Sequence, residues 1–185
     1  MSVALNLTVV AGTNRIGSRT LRVAHRLLER YASIEGVSAS LLDLQDLPLE
    51  LAAPSAYDEK PPAFKVFADA VLASDGLHVV SPEYNGGMPG ILKLFIDHLP
   101  FPESFEQRPV AFTGVAAGRF GALRPVEQLQ GVFGYRNAHI YPERVFIAGA
   151  ARLLNDQGEP VDDWLRARFD SQVTGFVDFV GRLKA

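Results

Sequence analysis

The 185-residue chain contains no cysteine, which excludes disulfide scaffolds, thiolate nucleophiles, zinc ribbons and cysteine-held iron–sulfur clusters together. Redox chemistry, if present, needs a borrowed cofactor. No apolar stretch approaches the ~20 residues that cross a bilayer, and no basic segment precedes an apolar one. No membrane insertion is expected, and the protein reads as cytoplasmic. Lys and Arg form no run, and 18 of them against 21 Asp and Glu leave a net charge of −3. That balance carries no electrostatic footprint for a phosphate backbone, so no nucleic acid partner is expected. Also missing are the Gly-x-Ser-x-Gly elbow of a serine hydrolase, the Gly-x-Gly-x-x-Gly dinucleotide fingerprint and the Gly-Lys-Ser/Thr of a triphosphate loop. The four histidines, His25, His78, His98 and His139, have no ligand-like spacing, and no metal site is expected.

What is present is apolar and regularly punctuated. The hydrophobic fraction is 48% and the charged fraction 21%, enough for one domain over residues 1–185 with roughly 70% of its unfolded surface buried. A β-branched run at Leu5–Ala11 stops at Gly12, and a polar loop leads into Leu21, Ala24, Leu27, Leu28 and Tyr31 at helical spacing. Val37–Leu44 reads as a second strand, and Gln45–Pro62 as a loop punctuated by four prolines. Phe64, Phe67, Val71 and Leu72 then stripe a helix, Leu77–Ser81 is a third strand, and Ile91, Leu92, Phe95, Ile96 and Leu99 stripe the next helix. Val110–Val115 is a fourth strand, followed by the helix of Leu123, Val126, Leu129 and Phe133. A fifth strand lies within Ala138–Ile147, and Leu165, Phe169, Val173, Phe176, Val180 and Leu183 mark a long closing helix begun by Asp162 and Asp163.

Five strands alternating with five helices imply a three-layer α/β domain, a doubly wound parallel sheet, because right-handed crossovers return over the sheet. The flavodoxin-like strand order 2-1-3-4-5 uses every element, and it puts ligands at the switch between strands one and three. Three loops rich in Gly and polar residues end there: Gly12–Thr20, Pro82–Pro89 and Ala116–Gly121. In the first, Gly12, Thr13, Asn14, Arg15, Ser18 and Thr20 precede a helix whose free N–H groups carry partial positive charge, a site for a monophosphate. The competing reading is a helix N-cap supplied by Ser18 or Thr20, with the arginines solvated. In the second loop, Pro82, Glu83, Tyr84, Asn85 and Gly86 form a backbone shaped for close approach to a planar ring, or simply a tight strand-to-helix turn. Gly118, Arg119 and Phe120 make the third wall.

Pro82-Glu83-Tyr84-Asn85 followed by Pro89-Gly90-x-Leu92-Lys93 and Asp97, with Gly12 through Ser18 upstream and Gly118-Arg119-Phe120-Gly121 downstream, resembles the NADPH-dependent FMN reductase family, which includes quinone, chromate and azo-dye reductases. The resemblance spans nearly the whole chain. It implies non-covalent FMN with its phosphate at Thr13, Arg15, Ser18 and Thr20, and its ribityl chain and ring along Pro82, Glu83, Tyr84 and Asn85. It further implies NADPH or NADH as co-substrate, a small-molecule electron acceptor, no protein general base, and a homodimer or homotetramer. The sequence departs from the family pattern at Gly87 and Ala116, where serines are common, at Leu94 and His98, and at Ala122, where glycine is common. Two lost hydroxyls at about 1 kcal/mol each imply FMN affinity lowered roughly tenfold or more. Two alternatives share the fold: an electron-carrying flavodoxin, and a flavodoxin-like module that has lost FMN. A phosphoacceptor receiver domain needs acidic residues after strand one and a carboxylate at strand three, where Gly12-Thr13-Asn14 and Ser81 stand.

Overall fold

The computed structural model describes residues 4–184. The parallel sheet is built from β1 (Leu5–Ala11), β2 (Val37–Asp43), β3 (Gly76–Pro82), β4 (Pro109–Ala116), β5 (His139–Ile140) and β6 (Val145–Ala148). The helices are α1 (Arg19–Ala32), α2 (Lys65–Leu72), α3 (Gly90–His98), α4 (Leu123–Tyr135), α5 (Ala150–Leu153) and α6 (Asp163–Lys184). The order is β2-β1-β3-β4-β5, with β6 also pairing with β4. Alternate faces of the strands feed two cores. On one face α2, α3 and α4 bury Phe67, Phe95, Leu129 and Phe133 against Val10, Val79 and Phe112. On the other, α1 and α6 bury Leu27, Tyr31, Phe169 and Phe176 against Leu7, Val9 and Val80. No helix among the described residues is long and apolar enough to cross a membrane.

Three segments differ from the sequence reading, one of them by the short added helix α5 between β6 and α6. The fifth strand position is filled by two short strands: β5 pairs with Pro109–Val110 and β6 with Thr113–Ala116. Pro142, lying between them, has no N–H to give the ladder. The carbonyls freed by the break are taken by α6, whose Gln172 Nε2 donates to Phe112 O (2.9 Å) and Glu143 O (3.1 Å) while Arg168 donates to Arg144 O (2.9 Å). The proline-punctuated segment is a chain of 3₁₀ turns at 44–46, 49–52, 54–57 and 62–64, and it buries Leu44, Leu51, Ala56 and Phe64. Its prolines set turns and its apolar residues fill core.

Gln172 also ends a buried polar chain through the sheet. Tyr31 OH lies 2.7 Å from His78 Nδ1, His78 Nε2 lies 2.8 Å from Thr113 Oγ1, and Thr113 Oγ1 lies 2.7 Å from Gln172 Oε1. Two backbone carbonyls fix the Gln172 amide with its NH₂ toward them, so Oε1 accepts from the Thr113 hydroxyl. Thr113 must then accept from His78 Nε2–H, and His78 Nδ1 accepts from Tyr31. Burial among these neutral groups drives the His78 pKa down to about 3 and the Tyr31 pKa well above its usual value.

Candidate functional site

At the carboxyl ends of the strands the three loops converge. β1 and β3 register Ala11 opposite Val80, and the ladder runs one bond further, Gly12 N donating to Val80 O at 2.8 Å. A Cβ at Gly12 would lie 2.8 Å from both Val80 O and Leu92 Cδ2. Only glycine lets the first loop leave the sheet this close to β3 and α3.

Beyond Gly12 the chain turns through Gly17, at φ +68°, into α1. Ser18 is the N-cap: its Oγ accepts from Leu21 N at 3.1 Å and its carbonyl from Arg22 N at 3.4 Å. Ser18 supplies the helix cap, while the N–H groups of Ile16, Gly17, Arg19 and Thr20 find no acceptor among the described residues. These unclaimed donors, at the positive end of the helix and beside Arg15, Arg19 and Arg22, line a cavity of about 350 Å³ together with Pro82, Glu83 and Tyr84. This is an anion-binding concavity.

The second loop closes on itself. Tyr84 N donates to Gly87 O and Gly87 N to Tyr84 O, both at 3.0 Å, across Asn85 (φ +51°) and Gly86 (φ +79°). Two successive left-handed residues give a primed turn, for which Asn-Gly is the favoured pair. Tyr84 OH meets the fully buried Thr13 Oγ1 at 2.6 Å, and Thr13 Oγ1 also accepts from Arg15 N at 3.2 Å, joining the first two loops. A second cavity of about 210 Å³ lies between this turn and the third loop, lined by Glu83, Asn85, Gly86, Gly118 and Phe120 with Ala116 and Ala117. A Cβ built on Gly118 would meet nothing within 4 Å, so the wall there is open.

Glu83, Ala116 and Ala117 line both cavities, and Glu83 is the polar side chain at their junction. Its Oε1 accepts from Arg124 Nη1 at 3.0 Å; its Oε2 is buried without a partner among the described residues. A buried carboxylate oxygen left unpaired is costly unless something arrives to donate to it. Phe120 is 44% exposed at the rim, with the guanidiniums of Arg124 and Arg119 at 4.3 and 5.0 Å from its ring centroid.

Of the residues singled out in the sequence, Arg15, Ser18, Thr20, Pro82, Glu83 and Tyr84 share the first cavity, and Asn85, Gly86, Gly118 and Phe120 share the second with Glu83. Gly12 and Thr13 lie behind the wall as supports, Asn14 is exposed outside it, and Arg119 flanks Phe120 from without. Position 87 faces away: a Cβ there would lie 3.3 Å from Gln128 Oε1. The hydroxyl absent at Gly87 is therefore no lost contact of the crevice, whereas Ala116 does line it. Sequence reasoning counted Arg19 with Arg15 as a guanidinium of the first loop but missed Arg22, which lines the same cavity one helical turn on, and Arg124 and Gln128 on α4. A larger cavity of about 510 Å³ lies along Pro48–Ala63, lined mostly by proline and alanine. It lacks the convergent donors of the crevice.

Comparison with known proteins agrees with this geometry. The model of the NADPH-dependent FMN reductase family matches residues 5–152. The chain is 32% identical over 158 residues to an NAD(P)H-dependent FMN reductase of Pseudomonas aeruginosa, covering 80% of this chain and 82% of that one. It is 33% identical over 191 residues to a quinone reductase of Pseudomonas putida, covering 97% of each. Among solved structures, the flavoenzyme NAD(P)H:(acceptor) oxidoreductase FerB of Paracoccus denitrificans superposes with a TM-score of 0.73 at 22% identity, over 96% of this chain and 98% of that one. The chain belongs to the NADPH-dependent FMN reductase family, a family of oxidoreductases that use FMN and NAD(P)H.

Proposed function

We propose that this protein, as one domain over its 185 residues, is an FMN-dependent reductase that takes hydride from NADPH or NADH and delivers it to small acceptors, with quinones first and free flavin, chromate and azo compounds in the same class. The observation that carries the reading is the continuity of the crevice. A donor-rich end and a glycine-walled end meet at Glu83, whose side chain lines both and whose buried Oε2 has no partner among the described residues. A ligand with a phosphate, a hydroxylated chain and a planar ring matches those three parts in order.

In this reading the N–H groups of Gly17, Arg19 and Thr20, the Ser18 and Thr20 hydroxyls and Arg15 hold the phosphate. Pro82, Glu83 and Tyr84 run beside the chain, and Asn85, Gly86, Gly118 and Phe120 border the ring. FMN, when bound, supplies the hydride chemistry. The chain's own work is to bind, to orient and to leave one ring face open beside Phe120. No side chain is assigned a proton-transfer step. Reduced nicotinamide supply places the reaction in the cytoplasm, and the assembly is a homodimer or homotetramer, supported by exposed Leu49, Tyr57, Tyr135 and Trp164.

The test is anaerobic mixing of FMN-loaded protein with NADPH and separately with NADH, followed by a benzoquinone. Rapid bleaching of the flavin band and its return on quinone addition is expected. Sluggish bleaching with either dinucleotide would point instead to an electron carrier working through a protein partner.

A further inference from the structure

The turn that borders the ring cavity is rigid within itself, but its hydrogen bonds to Gly87 do not fix where it stands relative to the sheet. Besides the packing of Met88 on the core, three polar contacts from outside do. Tyr84 is tied to Thr13 on the first loop, and the other two come from α4. Arg124 Nη1 donates to Glu83 Oε1 at 3.0 Å, and Gln128 Oε1 accepts from Met88 N at 2.9 Å. Arg124 and Gln128 are four residues apart, so they project from one face of the helix on successive turns. They grip the loop on either side of its tight turn.

Arg124 does a second thing. Its guanidinium lies 4.3 Å from the ring centroid of Phe120, which borders the opposite wall of the same cavity. One side chain therefore touches both walls: Glu83 by an ion pair and Phe120 by its face. Side-chain exposure is 48% for Arg124 and 14% for Glu83, so the pair straddles the rim, with the carboxylate inside. The space behind Gly87 and Gly86 is taken by Gln128 and by Arg124 Cδ, at 3.3 and 3.9 Å from Cβ positions built there.

We propose that Arg124 and Gln128 are positioning residues that set the separation of the two walls of the ring cavity, Arg124 by tying Glu83 to Phe120 and Gln128 by holding Met88. The proposal rests on the reading of this crevice as an FMN site, and it adds that ring affinity depends on α4, which neither lines the crevice nor touches its contents. Neither residue packs in the core, so loss of the tie loosens the loop and leaves the fold in place.

The test compares Gln128→Ala with Gln128→Glu, and Arg124→Ala with Arg124→Lys, by two readouts. The first is amide hydrogen exchange of the cofactor-free protein, which does not depend on FMN. Exchange at residues 84–88 is expected to speed up in both alanine variants. It stays near wild type in Gln128→Glu, which keeps an acceptor for Met88 N–H, and in Arg124→Lys, which keeps the cation for Glu83. The second is FMN dissociation from flavin fluorescence, with an expected rise of about fivefold to tenfold in the alanine variants and recovery in the conservative ones. Alanine variants that loosen the loop without weakening FMN, or conservative variants no better than alanine, overturn the proposal. Wild-type protein that binds no FMN overturns the reading of the site instead, while the exchange data still decide whether α4 holds the loop.

Discussion

Two polar regions of this molecule have opposite characters. Beneath the sheet surface, Tyr31, His78, Thr113 and Gln172 form a chain in which every donor meets an acceptor, ending on two backbone carbonyls. At the carboxyl ends of the strands, the N–H groups of Gly17, Arg19 and Thr20 and the Oε2 of Glu83 have no partner among the described residues. The first region is closed and needs nothing. The second is held in place by its neighbours and leaves backbone donors at a crevice and a buried carboxylate oxygen beside it unpaired, which is the arrangement a ligand completes. Burial alone does not separate them, since Thr13 is as buried as His78. What separates them is whether the hydrogen bonds balance inside the protein.

The largest expected effect belongs to the closed chain and is a pH dependence. The His78 pKa is lowered by burial to about 3 from an ordinary 6.5. Between those values the unfolded state binds the proton and the folded state does not, so stability rises with pH across that window. It falls by up to about 1.4 kcal/mol per pH unit on acidification, and the dependence ends above the unfolded value and below the folded one. Chemical denaturation between pH 4 and 7 measures the slope, and His78→Gln flattens its part of it.

Next is Gln172→Leu, which strands the Thr113 hydroxyl and two carbonyls; a loss of about 3 kcal/mol is expected in urea denaturation. FMN stoichiometry of the folded fraction stays unchanged, because the crevice is untouched. Thr13→Val reverses that pattern. It removes the partner of Tyr84 OH and raises the FMN dissociation constant about tenfold by isothermal titration, with a smaller change in melting temperature than Gln172→Leu. If Thr13→Val and Gln172→Leu move stability and FMN affinity in equal proportion, the contrast between the two regions is broken. The smallest effect is at Ala122, a left-handed non-glycine residue (φ +66°) at the start of α4. Ala122→Gly relieves the backbone and removes a buried methyl group, two opposed changes that leave thermal stability within about 1 kcal/mol.

The fold was readable because the strands are short apolar or alternating runs set off by polar and turn residues, and the long helices are stripes at three- to four-residue spacing. The break in the fifth strand was not, because one proline within Ala138–Ile147 shifts no periodicity, and the repair comes from Gln172 on a distant helix. The closed chain was hidden for the same reason. Tyr31 and Gln172 sit within or beside apolar stripes on α1 and α6, and only the sheet brings them to His78 and Thr113. At the candidate site, the loop residues stood out by composition and by position at the switch point. Arg124 and Gln128 did not, since on a helix striped by Leu123, Val126 and Leu129 they look like any solvated face. Gly87 shows the converse, a departure from the family pattern whose meaning depended on which way position 87 points.

The most direct test of the central claim, that the open region is an FMN site, is a fluorescence-quenching titration of cofactor-free protein with FMN, repeated in the presence of inorganic phosphate. Saturation near one FMN per chain, with phosphate competing for the donor-rich end, is the expected result. Absence of saturation at high micromolar FMN contradicts the account and leaves a flavodoxin-like fold whose crevice serves some other ligand.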